Sequence, residues 1–298
     1  MMKVSGEPKV TGSSRTFVVT GTSSGIGYAF ARLATDRDTQ VYGTVRNQED
    51  AVRLAADLGS NFHPLVCDVR DEDGVANAAE QVRVALGGNR LSGLVNSAGI
   101  AVPGPMMLQA LEEFRAQLDT DLVGLFIVTK AFGPLLGVDP SLVGPPGRIV
   151  NMSSIGGKLR QPFATSYIAS KDGVEGFTGA VRRELQVYGI HVSAIAPGVA
   201  DTPIWDKVPA LEGRYDGTVY EEPFNKGVSV MVEAGKQHGI SADAVAEVIW
   251  RALTDRHPKL RYRPASHPIL EHGILMAMPK RPIDWGLTRF IGLSRKEP

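Results

Sequence analysis

Thr16-Phe17-Val18-Val19-Thr20-Gly21-Thr22-Ser23-Ser24-Gly25-Ile26-Gly27 is the stretch that decides the fold. A run of β-favouring residues enters a turn rich in glycine and serine, and an apolar pattern of helical period begins at Ile26. Glycine lets the backbone turn sharply and come close to a ligand, and a helix N-terminus offers unpaired N–H groups at the positive end of a dipole. The stretch therefore reads as a strand, a turn able to cradle phosphate, and a helix. A ligand-free strand-to-helix turn would have the same composition.

Outward from this unit, short β-rich runs alternate with longer helical ones. Strands are predicted at 16–20, 40–44, 63–66, 93–96, 148–152, 191–196 and 259–262, and helices near 26–35, 49–58, 72–86, 111–136, 166–188 and 242–254. This alternation implies one α/β domain, a doubly wound parallel sheet of seven strands flanked by helices. Residues 1–14 read as a disordered tail, 15–263 as the sheet domain and 264–298 as an extension packed on it. Two segments break the rhythm. From Pro197 to about Ile240 the chain is rich in Gly, Pro and charge, long for a loop, and follows a strand, which suits a substrate lid over about 199–240. Beyond Pro264, four prolines (Pro264, Pro268, Pro279, Pro282) punctuate apolar pieces such as Ile274-Leu275-Met276 and Phe290-Ile291.

Composition bounds the function. The 298 residues are 43% hydrophobic and 21% charged, an ordinary globular balance. The 32 basic and 32 acidic side chains cancel, so no long-range field draws nucleic acid or an anionic membrane. A lone cysteine, Cys67, excludes an internal disulfide framework and suits a reducing, cytoplasmic setting. No apolar run approaches the roughly 20 residues that span a bilayer, and residues 1–14 lack an apolar signal core. No residue is assigned to a metal.

The chemistry centres on Tyr167-Ile168-Ala169-Ser170-Lys171. On a helix, Tyr167 and Lys171 share a face one turn apart. A phenol is a poor acid at neutral pH; a neighbouring ammonium favours the phenolate and lets the oxygen exchange a proton with an alcohol or carbonyl. Ser153-Ser154 lie a short loop upstream and could hold the reacting oxygen. A surface aromatic beside a solvated lysine would show the same spacing.

Taken together, the motifs resemble those of the short-chain dehydrogenase/reductase family over about 16–263. They are Thr-Gly-x-x-x-Gly-x-Gly at Thr20–Gly27, Cys67-Asp68-Val69, Asn96-Ser97-Ala98-Gly99, Asn151-Met152-Ser153-Ser154, Tyr167-x-x-x-Lys171 and Pro197-Gly198-x-x-x-Thr202. The resemblance implies a Rossmann-type domain that binds a nicotinamide dinucleotide. It would set Gly21, Ser23, Ser24, Gly25, Ile26 and Gly27 around the pyrophosphate. Asp68, with the Val69 backbone beside it, would meet the adenine amine, and Asn96, Ala98 and Gly99 would border the adenine ribose. Lys171 would bind the nicotinamide ribose, next to Tyr167, and Pro197, Gly198, Val199 and Thr202 would hold the carboxamide. Asp68 also reads as a helix cap. The resemblance further makes Ser154, thirteen positions before Tyr167, the catalytic serine, Tyr167 the general acid/base and Lys171 its charge partner.

Asp121 holds the fourth catalytic position that the resemblance implies and departs from the pattern, because the family places an asparagine there. In the family its backbone carbonyl holds a water in a proton relay to the lysine and its side chain stabilises a local helix irregularity. Aspartate supplies the same carbonyl and adds negative charge near Lys171. For the cofactor, a carboxylate at the end of the second strand would repel a 2′-phosphate, but the strand here ends in Val45-Arg46. Guanidinium pairs well with phosphate, so NADP(H) is expected over NAD(H); a solvated or adenine-stacking Arg46 is the other reading. Apolar residues at Ala101, Val102, Ile155, Phe163 and within 204–231 favour a lipophilic alcohol or carbonyl substrate, or simply pack the lid. Val41-Tyr42-Gly43-Thr44-Val45-Arg46, Ala98-Gly99-Ile100 and Met278-Pro279-Lys280-Arg281-Pro282 with Asp284 resemble the 17β-hydroxysteroid and retinol dehydrogenase branch. The family's dimer face implies a homodimer or homotetramer through the helices at 111–136 and 166–188. The other class of function is a dinucleotide-sensing or scaffold protein that keeps the fold without turnover.

Overall fold

In this computed structural model, residues 15–156, 160–203, 211, 213–266 and 279–294 are described. The main sheet contains β1 (Thr16–Val19), β2 (Gln40–Val45), β3 (Phe62–Val66), β4 (Gly93–Asn96), β5 (Arg148–Met152), β6 (His191–Ile195) and, numbered last because a pair of short strands intervenes, β9 (Arg261–Tyr262). All pair in parallel, in the order β3-β2-β1-β4-β5-β6-β9. The chain winds outward from β1 to β3 and then returns to place β4 on the other side of β1. The crevice at the carboxyl ends of β1 and β4 is thus a topological switch point, where such sheets bind ligands.

The strand residues alternate between two buried faces, which is why the strands read as nearly continuous apolar runs. Phe17 and Val19 face one layer, with Phe30 of α1 (Gly25–Thr35), Leu54 of α2 (Gln48–Leu58) and Ile249 of α8 (Ala242–Thr254). Val18 and Leu94 face the other, with Val82 of α3 (Glu72–Leu86) and Val128 and Phe132 of α5 (Gly124–Gly133). Cys67 is buried just after β3, and burial pushes its thiol up to about 11.

Three features differ from the sequence expectations. The helix expected over 111–136 is α4 (Leu111–Leu118), a π-helical turn at Asp119–Val123, then α5 and a second π turn at Pro134–Val138. This run, Leu111–Val138, is also long and apolar enough by composition to cross a membrane, contrary to the expectation that no segment is. Its apolar side chains at Leu125, Val128, Phe132, Leu135 and Leu136 are buried in the core. Third, the expected loop lid contains α7 (Glu221–His238), and strands β7 (Ala200–Asp201) and β8 (Ile240–Ser241) pair at its two ends. Gly227, Gly235 and several β-branched residues within α7 hid its helical pattern. The extension includes α9 (Lys280–Ile291), which packs on α7. The tail at 1–14, lid residues 204–210 and the Ile274-Leu275-Met276 piece lie outside the described residues.

Candidate active site

The glycine loop is shaped by close approach. Gly21 sits at φ +72°, and a Cβ there would meet Ala98 Cα at 2.8 Å; a Cβ on Gly27 would meet the Gly21 carbonyl oxygen at 2.2 Å. The Gly21 amide donates to Thr44 Oγ1 at 3.0 Å, and Thr20 Oγ1 accepts from the Ser97 and Ala98 amides, each at 3.0 Å. These bonds lock the loop to β2 and to the end of β4. Ser24 occupies the N-cap of α1 without a side-chain cap bond, whereas Asn47 caps α2 through the Asp50 amide. A helix N-terminus of this kind offers N–H groups to an anion, and the residues at the start of α1 fit a dinucleotide pyrophosphate. Ser23 offers its carbonyl to the Arg53 guanidinium at 3.0 Å, so a second arginine, which sequence reasoning missed, stands beside this loop.

Arg46 is exposed just past β2, close enough to Asp68 to help lower that carboxyl's pKa. The Asp68 carboxylate accepts from Arg70 Nε at 3.0 Å, from its Nη2 at 2.7 Å and from its amide at 2.9 Å. This hydrogen bonding holds Asp68 below the usual carboxylate range despite partial burial. Asp68 is thus oriented by Arg70 and does not cap α3, whose N-cap is Asp71. The Asp68-x-Arg70 spacing was the available signal. Val69 is buried, its side chain packed under Gly124 at the π turn.

Asn96 ends β4 beside Asn151 of β5. Its amide is 4% exposed and donates to Asn151 Oδ1 at 2.8 Å and Thr129 Oγ1 at 3.1 Å, stitching β4 to β5. Gly99 lies where a Cβ would be 3.3 Å from Asp121 Oδ1 and 3.5 Å from Lys171 Nζ, so only glycine gives this approach without a shift.

The proton-transfer candidates meet at the ends of β4 and β5 and the start of α6 (Thr165–Glu184). Lys171 Nζ stands 5.6 Å from the Tyr167 ring centre, 3.2 Å from Asp121 Oδ2 and 3.3 Å from the Met152 carbonyl oxygen. The Lys171 and Asp121 side chains are 9% and 0% exposed. Burial opposes the lysine charge, but the Asp121 carboxylate, Tyr167 and the hydrogen bond to Asp121 outweigh it and raise the Lys171 pKa above the ordinary lysine value. Asp121 belongs to the π turn, the local irregularity expected there; its Oδ1 accepts from the Ile100 amide at 2.9 Å. Ser170 Oγ lies 3.1 Å from Asp121 Oδ2 and 2.8 Å from the Tyr167 carbonyl oxygen, so its one hydrogen serves either acceptor. Ser170 and the Ile100 amide were not anticipated, although Ser170 falls three residues after Tyr167.

Between the two serines the geometry favours Ser154. Its Oγ accepts from the Gly156 amide at 3.0 Å, and a Cβ on Gly156 would lie 3.2 Å from Ser154 Oγ and 3.4 Å from Tyr167 Cε1. Ser154 and Tyr167 therefore flank one point. Ser153 is buried, its amide bonded to the Ile195 carbonyl. On the far side, Pro197 accepts from the Ile155 amide, the Gly198 amide donates to the Pro264 carbonyl, and Val199 accepts from the Ile240 amide. Thr202 is brought against the glycine loop, 3.6 Å from where a Gly25 Cβ would sit. Among the described residues, no three His, Cys, Asp or Glu side chains gather as a metal site would require.

The profile of the short chain dehydrogenase family matches residues 15–212. An NADPH-dependent 3-dehydrocapnine reductase from Ornithobacterium rhinotracheale is 34% identical over 267 residues, covering 90% of this chain and 94% of that protein. Retinol dehydrogenase 16 from Mus musculus is 29% identical over 258 residues, covering 82% of this chain and 78% of that one. Among solved structures, a point variant of actinorhodin polyketide ketoreductase with NADPH superposes with a TM-score of 0.70 at 28% identity, over 89% of this chain and 98% of its own. A short-chain dehydrogenase/reductase from Burkholderia phymatum in complex with NAD, at 21% identity and a TM-score of 0.75, covers 92% of this chain and 95% of its own and shares the fold. A profile that runs from β1 into the lid, met by a relative that matches nearly end to end, places this chain in the short-chain dehydrogenase/reductase family of oxidoreductases.

Proposed function

We propose that the chain is an NADP(H)-dependent oxidoreductase that interconverts an alcohol with a ketone or aldehyde on a lipophilic substrate. The observation that carries this reading is the buried Lys171 facing the Tyr167 ring, with Ser154 converging on the same point. When bound, the nicotinamide supplies or accepts the hydride. Ser154 holds the substrate oxygen, and the Tyr167 hydroxyl gives it a proton in reduction or takes one in oxidation. The Lys171 ammonium favours the phenolate partner of that exchange electrostatically. Its third hydrogen, beyond those directed to Asp121 and Met152, is available to a ribose hydroxyl.

NADP(H) is supported by the exposed Arg46, by Arg53 at the phosphate loop and by the absence of a carboxylate ending β2. The reductase relative named as NADPH-dependent points the same way. A lipophilic substrate is supported by the buried Ile155 and Phe163 flanking the Tyr167 segment and by the retinol dehydrogenase relative. Exposed Val123 and Phe126, beside Phe177 of α6, support a homo-oligomer face on these helices. The direct test is the change in NADPH absorbance over a panel of apolar ketones and aldehydes, with the reverse assay on alcohols. Tight NADPH binding without any turnover would replace this reading with the sensing one.

A further inference from the structure

We propose that the Asp121 carboxylate is a positioning residue that holds the Lys171 ammonium at the end of β5 before any ligand arrives and sets the pH at which the centre stops working. The argument starts from satisfaction of charge. A buried carboxylate is costly unless its oxygens are paired. Here Oδ1 takes the Ile100 amide at 2.9 Å, and Oδ2 takes Lys171 Nζ at 3.2 Å with Ser170 Oγ at 3.1 Å. Asparagine in the same place could keep one acceptor oxygen but not the charge, and its NH2 group would face the ammonium or the serine. The aspartate therefore turns a neutral contact into an ion pair. The charged or titratable groups found to act on Lys171 are Asp121, from the π turn, and Tyr167, from its own helix. The Met152 carbonyl meets Lys171 from β5, and Gly99 lies where a Cβ would be 3.5 Å from Lys171 Nζ.

The sign follows directly. Asp121 is the largest of the effects that raise the Lys171 pKa, so a neutral replacement leaves burial to lower it, and Lys171 gives up its proton at lower pH. Carbonyl reduction needs the Lys171 proton in place, so this change moves the alkaline limb of its pH–rate profile toward lower pH. The rate arm of this proposal rests on the oxidoreductase reading; the titration of Lys171 itself does not.

The experiment compares wild type, Asp121→Asn and Ser170→Ala. Lys171 is titrated by NMR in protein labelled with 13C-lysine, and kcat/KM for NADPH-driven reduction of a ketone that the wild type accepts is measured from pH 6 to 10. Asp121→Asn is expected to lower the Lys171 titration midpoint and the alkaline limb by about one unit or more, the usual effect of an opposite charge at this distance. Ser170→Ala is expected to shift both less, in the same direction. An unshifted Lys171 midpoint in Asp121→Asn overturns the proposal, as does a loss of rate by one factor at every pH, which is what a purely structural residue would give. If the wild type reduces no carbonyl at all, the oxidoreductase reading falls, and the NMR titration still decides this one.

Discussion

The floor of the cleft and its cover are built by different physics. On the floor, Asp121, Lys171, Ser170, the Ile100 amide and the Met152 carbonyl form polar contacts of 2.9–3.3 Å at the sheet's carboxyl edge. Such a network leaves few alternatives, because each buried polar group that loses its partner costs about 1–3 kcal/mol. The cover is held by packed rings: Phe224 of α7 lies edge-on to Phe163 at 5.4 Å and to Tyr215 at 4.7 Å, with Ile291 of α9 in the same cluster. An ion pair, Arg214 to Glu113 at 2.6 Å, ties the cover to α4. The two regions join at Phe163, whose φ of +66° is strained for a bulky residue and whose carbonyl accepts from the Gly104 amide at 2.8 Å. Apolar packing tolerates substitution of similar volume, whereas a directed polar network does not. On the proposed function, reaction type would belong to the floor and substrate choice to the cover.

The largest break in the comparison should come from Tyr167→Phe. Loss of a general acid/base costs about 10²–10⁴ in rate, and kcat is expected to fall in that range. The NADPH dissociation constant, read by fluorescence, should stay nearly unchanged; retention of near wild-type turnover would remove Tyr167 from the proton-transfer role. Next, Arg46→Ala should weaken NADPH binding about tenfold or more, since a charge-assisted hydrogen bond contributes about 1.5–3 kcal/mol, while NADH binding changes little. Equal loss for both cofactors would show that Arg46 does not read the phosphate.

A smaller effect on turnover is expected from the cover. Phe224→Ala opens a cavity at a fully buried ring and should cost about 3–5 kcal/mol of stability, seen in thermal unfolding. In kinetics it should raise KM for an apolar carbonyl more than it lowers kcat. A fall in kcat as large as that of Tyr167→Phe would erase the division between floor and cover. The smallest effect belongs to Trp285→Ala on α9. That side chain is 67% exposed, and its loss should change stability by no more than about 0.5 kcal/mol and leave kcat alone. A larger loss in unfolding measurements would mean that the outer face of α9 is covered in solution.

The same division explains what was legible in the sequence. The strands and the glycine loop were readable because Phe17, Val18 and Val19 sit in a sheet buried on both faces and Gly21 and Gly27 meet backbone closely. Ser154, Tyr167 and Lys171 were readable because they recur at fixed spacings on one loop and one helix. The π turn at Asp119–Val123 was implied by the resemblance alone, because an extra backbone residue in a helix leaves little mark on apolar periodicity. The Asn96–Asn151 bond was not readable, since two asparagines at neighbouring strand ends look alike whether they face a ligand or each other. The helix α7 was missed because Gly227, Gly235 and several β-branched residues lower its intrinsic preference while its packing against Phe163 and Ile291 supplies the stability.

The central claim is that the floor performs hydride and proton exchange with a carbonyl. It is tested most directly by incubating the protein with NADPH deuterated at the transferable nicotinamide position and a panel of apolar ketones and aldehydes, then analysing products by mass spectrometry. The account predicts an alcohol carrying the cofactor's deuterium at the former carbonyl carbon, formed by the wild type and lost with Tyr167→Phe. Tight binding of the cofactor with no deuterium in any product would contradict it.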